Sequence, residues 1–215
     1  TALHSHIVQA IQSAGGWLPF DRFMALALYA PGMGYYAGEL PKFGAMPQTG
    51  SDFVTAPELT PLFGQTLAVQ VQEALERTGT DEVWEFGAGS GALALQLLDA
   101  LAEMGTAVRC YTIVDLSGTL RARQQQLLAK YEDKVRWLHA LPEQMEGVIV
   151  GNEVLDAMPV QLLSRHGGEV DGVWHERGVG VEADGSFIWQ DRPTELRPPI
   201  DIEGPHDYLT EIHPQ

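Results

Sequence analysis

The sequence predicts an α/β protein organised around a doubly wound parallel sheet, and three observations carry that reading. Between Glu82 and Gly151, short runs of strand character alternate with amphipathic runs, the pattern of parallel strands joined by crossover helices. The stretch "EFGAGSGAL" puts Gly87, Gly89 and Gly91 where the first of these strands gives way to a helix. Asp115 closes the second strand, 24 residues after Gly91.

Taken in order, the N-terminal part reads as helical. Leu3, Ile7 and Ile11 recur every four residues, and Gly15-Gly16 stops the run. A second helix is expected around Phe20 to Tyr29, ended by Pro31-Gly32. The stretch 32–56, "GMGYYAGELPKFGAMPQTGSDFVTA", is rich in glycine and aromatics and reads as a structured loop that covers something. Thr60-Pro61 has the form of an N-cap followed by proline at the first helical position. Phe63, Leu67, Val71 and Leu75 give that helix its apolar stripe, and Gly79 follows its end.

"EVWEF", "VRCYTIVD", "VRWLH" and "GVIVG" then supply four strands, with a Leu93, Leu97, Leu101 helix after the first and "LRARQQQLLAKY" after the second. Right-handed crossovers would put helices on both faces of the sheet. From Val160 to Gln190, Gly-Gly and Asp-Gly turns separate short alternating runs, which predicts antiparallel hairpins. "DRPTELRPPIDIEGP" reads as a proline-rich connector and "HDYLTEIHPQ" as the start of a helix. Three segments result: an N-terminal helical and loop segment over the site (1–79), a nucleoside-cofactor core (80–159), and an antiparallel hairpin insertion with the start of a further part (160–215). Four strands are few for a nucleotide-binding sheet, so C-terminal strands of the sheet are expected to be missing from this sequence.

Composition narrows the function classes. The 215 residues carry a formal charge of −16, the wrong sign for binding nucleic acid phosphates or an anionic membrane surface. No stretch has the apolar length of a membrane span, and "TALHSHIVQ" lacks the form of a signal peptide. The single cysteine, Cys110, forms no intrachain disulfide and has the setting of a core residue. The seven histidines show no ligand spacing with cysteine or carboxylates, so no metal is expected.

The glycine turn points to a nucleoside cofactor. Glycines allow a tight turn and close approach of the backbone to a ligand, and Asp115 is placed to accept both ribose hydroxyls. The run fits G-x-G-x-x-A closing at Ala92, which suits NAD, and equally acid-x-G-x-G-x-G starting at Glu85. Glu85 would repel a pyrophosphate but suits a sulfonium-bearing amino acid. The fourth strand ends in "GNEVLDAMP". Ligands of open parallel sheets bind beyond the carboxyl ends of the strands, so Asn152, Glu153 and Asp156 should open onto the same crevice. If "EVLDA" starts a helical turn, Glu153 and Asp156 share a face. Two carboxylates beside a cationic methyl donor suggest a cationic acceptor, and a guanidinium fits.

"LYAPGMGYYA", "DFVTAPELTPLFGQTLA", "EFGAGSGALA", "IVDLS" with its Gln-rich helix, and "GNEVLDAMPV" occur in this order. In this the chain resembles the MidA-like family of S-adenosyl-L-methionine (SAM) methyltransferases, which includes a mitochondrial complex I assembly factor that dimethylates an arginine. The resemblance implies a Rossmann-like class I methyltransferase fold and SAM as cofactor. It implies cofactor contacts at Gly87, Ala88, Gly89, Gly91, Asp115, Glu85 and Leu116, with Thr55, Pro57 and Glu58 near the same pocket. Asn152, Glu153 and Asp156 would line the acceptor side as catalytic residues, and Tyr35 and Tyr36 would either wall a substrate channel or simply pack. Asp115 stands where many relatives carry glutamate, and "TGSDF" replaces the more usual Gly-Asp-Phe. The expected partner is a protein presenting an arginine, such as a respiratory complex subunit, in a bacterial cytoplasm or a mitochondrial matrix. Two other readings stay open: a non-catalytic SAM-binding assembly factor, and an NAD-dependent oxidoreductase.

Overall fold

The computed structural model describes residues 1–36, 54–115, 118–167, 173–204 and 206–213. Contacts gather the elements into two compact units, Thr1–Gly38 with Ala157–Gln215, and Glu39–Asp156. Chain order does not follow this grouping. The first two helices belong with the C-terminal hairpins, and the helix after Pro61 belongs with the parallel sheet.

In the first unit, helix α1 (Ala2–Ser13) starts where the Thr1 hydroxyl accepts the His4 N–H at 3.2 Å. It buries Ile7 and Ile11, the expected stripe. A two-residue strand β1 (Leu18–Pro19), which the sequence pattern did not reveal, leads into α2 (Phe20–Tyr29). Hairpin strands β6 (Gln161–Arg165), β7 (Trp174–Val181) and β8 (Phe187–Pro193) follow. The final stretch is a strand, β9 (Tyr208–Ile212), where a helix was expected. It pairs antiparallel with β6 over five residue pairs. Long-range pairing there outweighs the local tendency to helix, as it commonly does for short segments. Across β7 and β8, Arg177 forks onto Asp191 at 2.8 and 2.9 Å, and Ser164 of β6 donates to the same carboxylate at 3.0 Å. These bonds hold Asp191 below its ordinary pKa, the Arg177 contact being the leading cause.

In the second unit, α3 (Ala56–Leu59) and α4 (Leu62–Thr78) precede β2 (Glu82–Phe86), α5 (Ala92–Glu103), β3 (Cys110–Val114), α6 (Gly118–Leu127), β4 (Val135–Leu138) and β5 (Val148–Gly151). All four strands are parallel, in the order β4-β3-β2-β5. That order is doubly wound: the chain steps outward from β2 to β4, then returns to the far side of β2. The core lies on one face. Val83, Tyr111, Ile113, Val135 and Val150 pack with Ala68, Val71 and Leu75 of α4 and with Leu93, Leu97 and Leu101 of α5.

The other face departs from expectation. Among the described residues, the 139–147 link from β4 to β5 contains no helix. Pro142 and Gly147 leave it too short and too interrupted for one. Trp84, Arg136 and Leu138 of that face line an open groove of about 750 Å³, together with Glu82, Gln144 and Met145.

Where α4 crosses α5 the fit is close. A Cβ added to Gly64 would stand 2.3 Å from Gln96 Cβ. Gln96 bridges the helices, accepting the Gly64 N–H at 3.1 Å and donating to the Pro57 carbonyl at 2.7 Å. Gly64→Ala should therefore lower unfolding stability by about 1–3 kcal/mol, as overpacking does, measured by urea denaturation. An unchanged midpoint would contradict this packing.

Candidate active site

The carboxyl ends of three strands lie side by side. Phe86, the last residue of β2, stands opposite Val114 of β3 and Gly151 of β5. The chain leaves each at the same level, into Gly87, Asp115 and Asn152 respectively. The Gly87 N–H donates to the Val114 carbonyl at 3.1 Å, and the Asp115 N–H to the Leu138 carbonyl at 3.1 Å. Because β5 lies on the opposite side of β2 from β3, this is the switch point where open sheets of this topology hold ligands.

The turn itself needs its glycines. Gly87, Gly89 and Gly91 have φ of +62°, +54° and +90°, a region that side chains disfavour. Space is short as well. A Cβ on Gly87 would lie 3.2 Å from a Val154 methyl, and one on Gly91 would lie 3.3 Å from Gln124 Cγ. Helix α5 starts directly after the turn, and first-turn N–H groups of a helix lack intrahelical acceptors. The Ser90 hydroxyl accepts the Ala92 N–H at 3.2 Å and donates to the Glu58 carboxylate. Together with the Gln96–Pro57 bond, this ties α3 to the turn. Pro57 and Glu58 are thus held beside the glycine turn, with Thr55 at the start of α3. Leu116 and the 37–53 part of the loop expected to cover the site lie outside the described residues; Tyr35 and Tyr36 fall in the other unit.

Glu85 sits one strand residue before the turn and is only 2% exposed. Tyr111 donates to it at 2.7 Å. Burial, opposed by that hydrogen bond and assisted by the negative Asp115, pushes its pKa from the ordinary value near 4.5 up to about 7. It lies buried in β2 just before the turn.

The acceptor side differs from the sequence expectation in one respect. Glu153 and Asp156 do not share a helical face. Glu153 has φ +56°, the one positive φ among the described non-glycine residues, and the short 3-10 turn begins after it, at Leu155–Ala157. A left-handed residue cannot continue a right-handed turn. The Val154 methyls pack against Gly87 and Gly151 instead, which seats 152–156 beside the glycine turn. Asn152 is half-buried, Glu153 and Asp156 are exposed, and Asn152 Nδ2 stands 3.5 Å from Glu153 Oε1.

Sequence reasoning missed the polar residues that brace the site: Ser90, Gln96, Tyr111, Gln124 and Trp137. One signal was available for Gln124. Leu120, Gln124 and Leu128 are four apart, so Gln124 falls on an apolar stripe, where a polar residue marks a buried partner. Among the described residues there is no cluster of His, Cys, Asp and Glu able to hold a metal, and no helix is long and apolar enough to cross a membrane.

Two outcomes follow from these environments. Glu85 binds its proton more tightly folded than unfolded, so its contribution to stability is complete below about pH 4.5 and is lost as pH rises to about 7. Glu85→Gln should remove that loss. Its stability advantage over the parent should grow across this window to on the order of 3 kcal/mol, read from urea midpoints at several pH values; a constant difference would refute the buried carboxyl. Glu153→Gly should relieve the left-handed backbone and raise stability by about 1 kcal/mol, whereas Glu153→Ala should not.

Comparison with known proteins agrees with this geometry. A solved COG1565 superfamily structure from Burkholderia thailandensis, bound to S-adenosyl-homocysteine, is 54% identical, with a TM-score of 0.80 over 91% of this chain and 51% of its own. A second COG1565 structure from the same organism is 49% identical, with a TM-score of 0.78 over 99% of this chain and 54% of its own. Among curated proteins, the mitochondrial protein arginine methyltransferase NDUFAF7 homolog of Caenorhabditis elegans is 29% identical over 87% of this chain and 48% of its own length. NDUFAF7 of Danio rerio is 24% identical over 84% and 48%. The chain therefore spans about half the length of the curated relatives it matches. Residues 66–215 match the family model described as "Putative S-adenosyl-L-methionine-dependent methyltransferase", and with most of its length inside that match, the chain belongs to this family of SAM-dependent methyltransferases.

Proposed function

We propose that this chain carries the cofactor-binding part of a SAM-dependent methyltransferase that modifies an arginine side chain of a protein. The observation that carries the reading is the convergence of the glycine turn, Asp115 and the 152–156 segment at one level of the sheet. The residues fit the cofactor. Its three glycines hold positive φ, a backbone that side chains disfavour, so the turn keeps bare main chain at the strand end, as a nucleoside lying against it requires. Asp115, at the next strand end, offers a carboxylate to the ribose hydroxyls. When bound, SAM supplies an electrophilic methyl group on a cationic sulfur.

The rest of the chemistry falls to this chain's own side chains. A guanidinium keeps its charge at neutral pH, so bringing it to a cationic donor is repulsive. Glu153 and Asp156 offset that repulsion and orient the nitrogen through charge-assisted hydrogen bonds. Asn152, beside Glu153, limits where that carboxylate points. With SAM bound, the nitrogen would take the methyl as the sulfur–methyl bond breaks to leave neutral S-adenosyl-homocysteine, and the proton it sheds would pass to a carboxylate oxygen of Glu153 or Asp156. Support for arginine as acceptor comes from these carboxylates and from the names of the two NDUFAF7 relatives. The compartment proposed is a mitochondrial matrix or a bacterial cytoplasm, those relatives being named as mitochondrial, and the partner a protein such as a respiratory complex subunit.

The test is transfer from labelled SAM to candidate partner proteins by the full-length protein. Label should appear on arginine. Glu153→Ala and Asp156→Ala should each reduce transfer by about 100-fold or more while S-adenosyl-homocysteine affinity, by calorimetry, stays within about threefold. SAM bound without any arginine labelled would overturn the acceptor. A cellular role untouched by Asp156→Ala would favour a non-catalytic assembly factor.

A further inference from the structure

Gln124 of α6 is wholly buried, at 0% exposure, yet its side chain is fully engaged. Its amide nitrogen donates to the Gly89 carbonyl at 2.9 Å and to Asp115 Oδ2 at 3.1 Å. Its amide oxygen accepts the Trp137 indole N–H at 2.9 Å. An indole N–H can only donate, so Trp137 compels the oxygen to face β4 and the nitrogen to face the turn and Asp115. The Gln124 stem also fills the space beside Gly91, where a Cβ would lie 3.3 Å from its Cγ. One side chain thus touches the middle of the glycine turn, its end, and the carboxylate at the next strand end.

We propose that Gln124 is a positioning residue for cofactor binding, acting through Asp115 and Gly89, with Trp137 setting the direction of its amide. The inference rests on the cofactor reading above and adds to it. The turn and Asp115 sit on different strands, and a ligand spanning both needs them at a fixed separation. Gln124 bridges them with two hydrogen bonds from a single nitrogen. It also directs one Asp115 oxygen toward the protein, which fixes how the carboxylate is turned toward a ribose. A glutamate would lack the donor and place a second acid against Asp115. A methionine would keep the volume and lose the bridge. Buried polar networks of this kind are worth most when every member is satisfied, and removing one leaves the others unpaired.

The experiment compares S-adenosyl-homocysteine with its 2′-deoxy analogue by calorimetry on the full-length protein, with Gln124→Met, Gln124→Glu and Trp137→Phe. Gln124→Met should weaken S-adenosyl-homocysteine about 10-fold or more and the 2′-deoxy analogue by less than about threefold, because the analogue already lacks part of the contact that Gln124 supports. Gln124→Glu should be worse than Gln124→Met, and Trp137→Phe should show the same ligand preference in weaker form. Equal losses for both ligands, or no loss, would overturn the proposal, since a purely structural role does not distinguish a ribose from a deoxyribose. If Gln124→Met fails to fold, Trp137→Phe carries the same comparison with the glutamine in place. A parent protein that binds neither ligand would overturn the cofactor reading and this inference with it.

Discussion

The site depends on one constraint, the register of the parallel strands. Phe86, Val114 and Gly151 stand abreast across three neighbouring strands. Because a strand advances by about 3.3 Å per residue, a slip of one residue in either pairing would carry Asp115 or Asn152 away from the level of the glycine turn. It would also reverse which side chains meet the helices. Core packing therefore sets the geometry of the site. Val83, Tyr111, Ile113 and Val150 reach α4 and α5 only in the observed register, and in that register the three strand ends converge.

Around that frame the glycine turn is held from three sides. Glu58 of α3 takes the Ser90 hydroxyl, Gln124 of α6 takes the Gly89 carbonyl, and Val154 lies over Gly87. A run of three glycines within five residues would be floppy alone, since each has access to much of conformational space. The surrounding contacts select one conformation and offset that entropy before a ligand arrives. Preorganisation of this sort lets binding energy act on the ligand, with less spent on ordering the protein.

Much of this was legible in the residues, for identifiable reasons. The strand-to-helix alternation, the four parallel strands and the glycine turn are local signals, and they matched the structure closely. So did α2 and the Ile7–Ile11 stripe. What failed were features decided at a distance. Tyr208–Ile212 became a strand because β6 was there to pair with it. Helices were expected on both faces of the sheet, but the proline and glycine of the 139–147 link leave no helix in it among the described residues. Glu153 left the helical region where the chain turns to bring Val154 beside Gly87. The bracing residues escaped notice because a lone glutamine or tyrosine carries no motif; only its place on an apolar stripe or a buried strand, as with Gln124 and Tyr111, betrays it.

The charge arrangement gives a further argument about ligands. Glu58 of α3 is bonded to Ser90 of the turn, Glu85 lies buried in β2 just before the turn, and Asp115, Glu153 and Asp156 follow the neighbouring strand ends, in a chain of formal charge −16. Neighbouring carboxylates repel one another, and Glu85, pushed up to about 7 chiefly by burial, feels the charge of Asp115 as a lesser cause. A neutral or anionic ligand would leave that repulsion in place. A cation such as the sulfonium of SAM would relieve it. The negative charge gathered at the strand ends therefore favours a cationic ligand there over an anionic one.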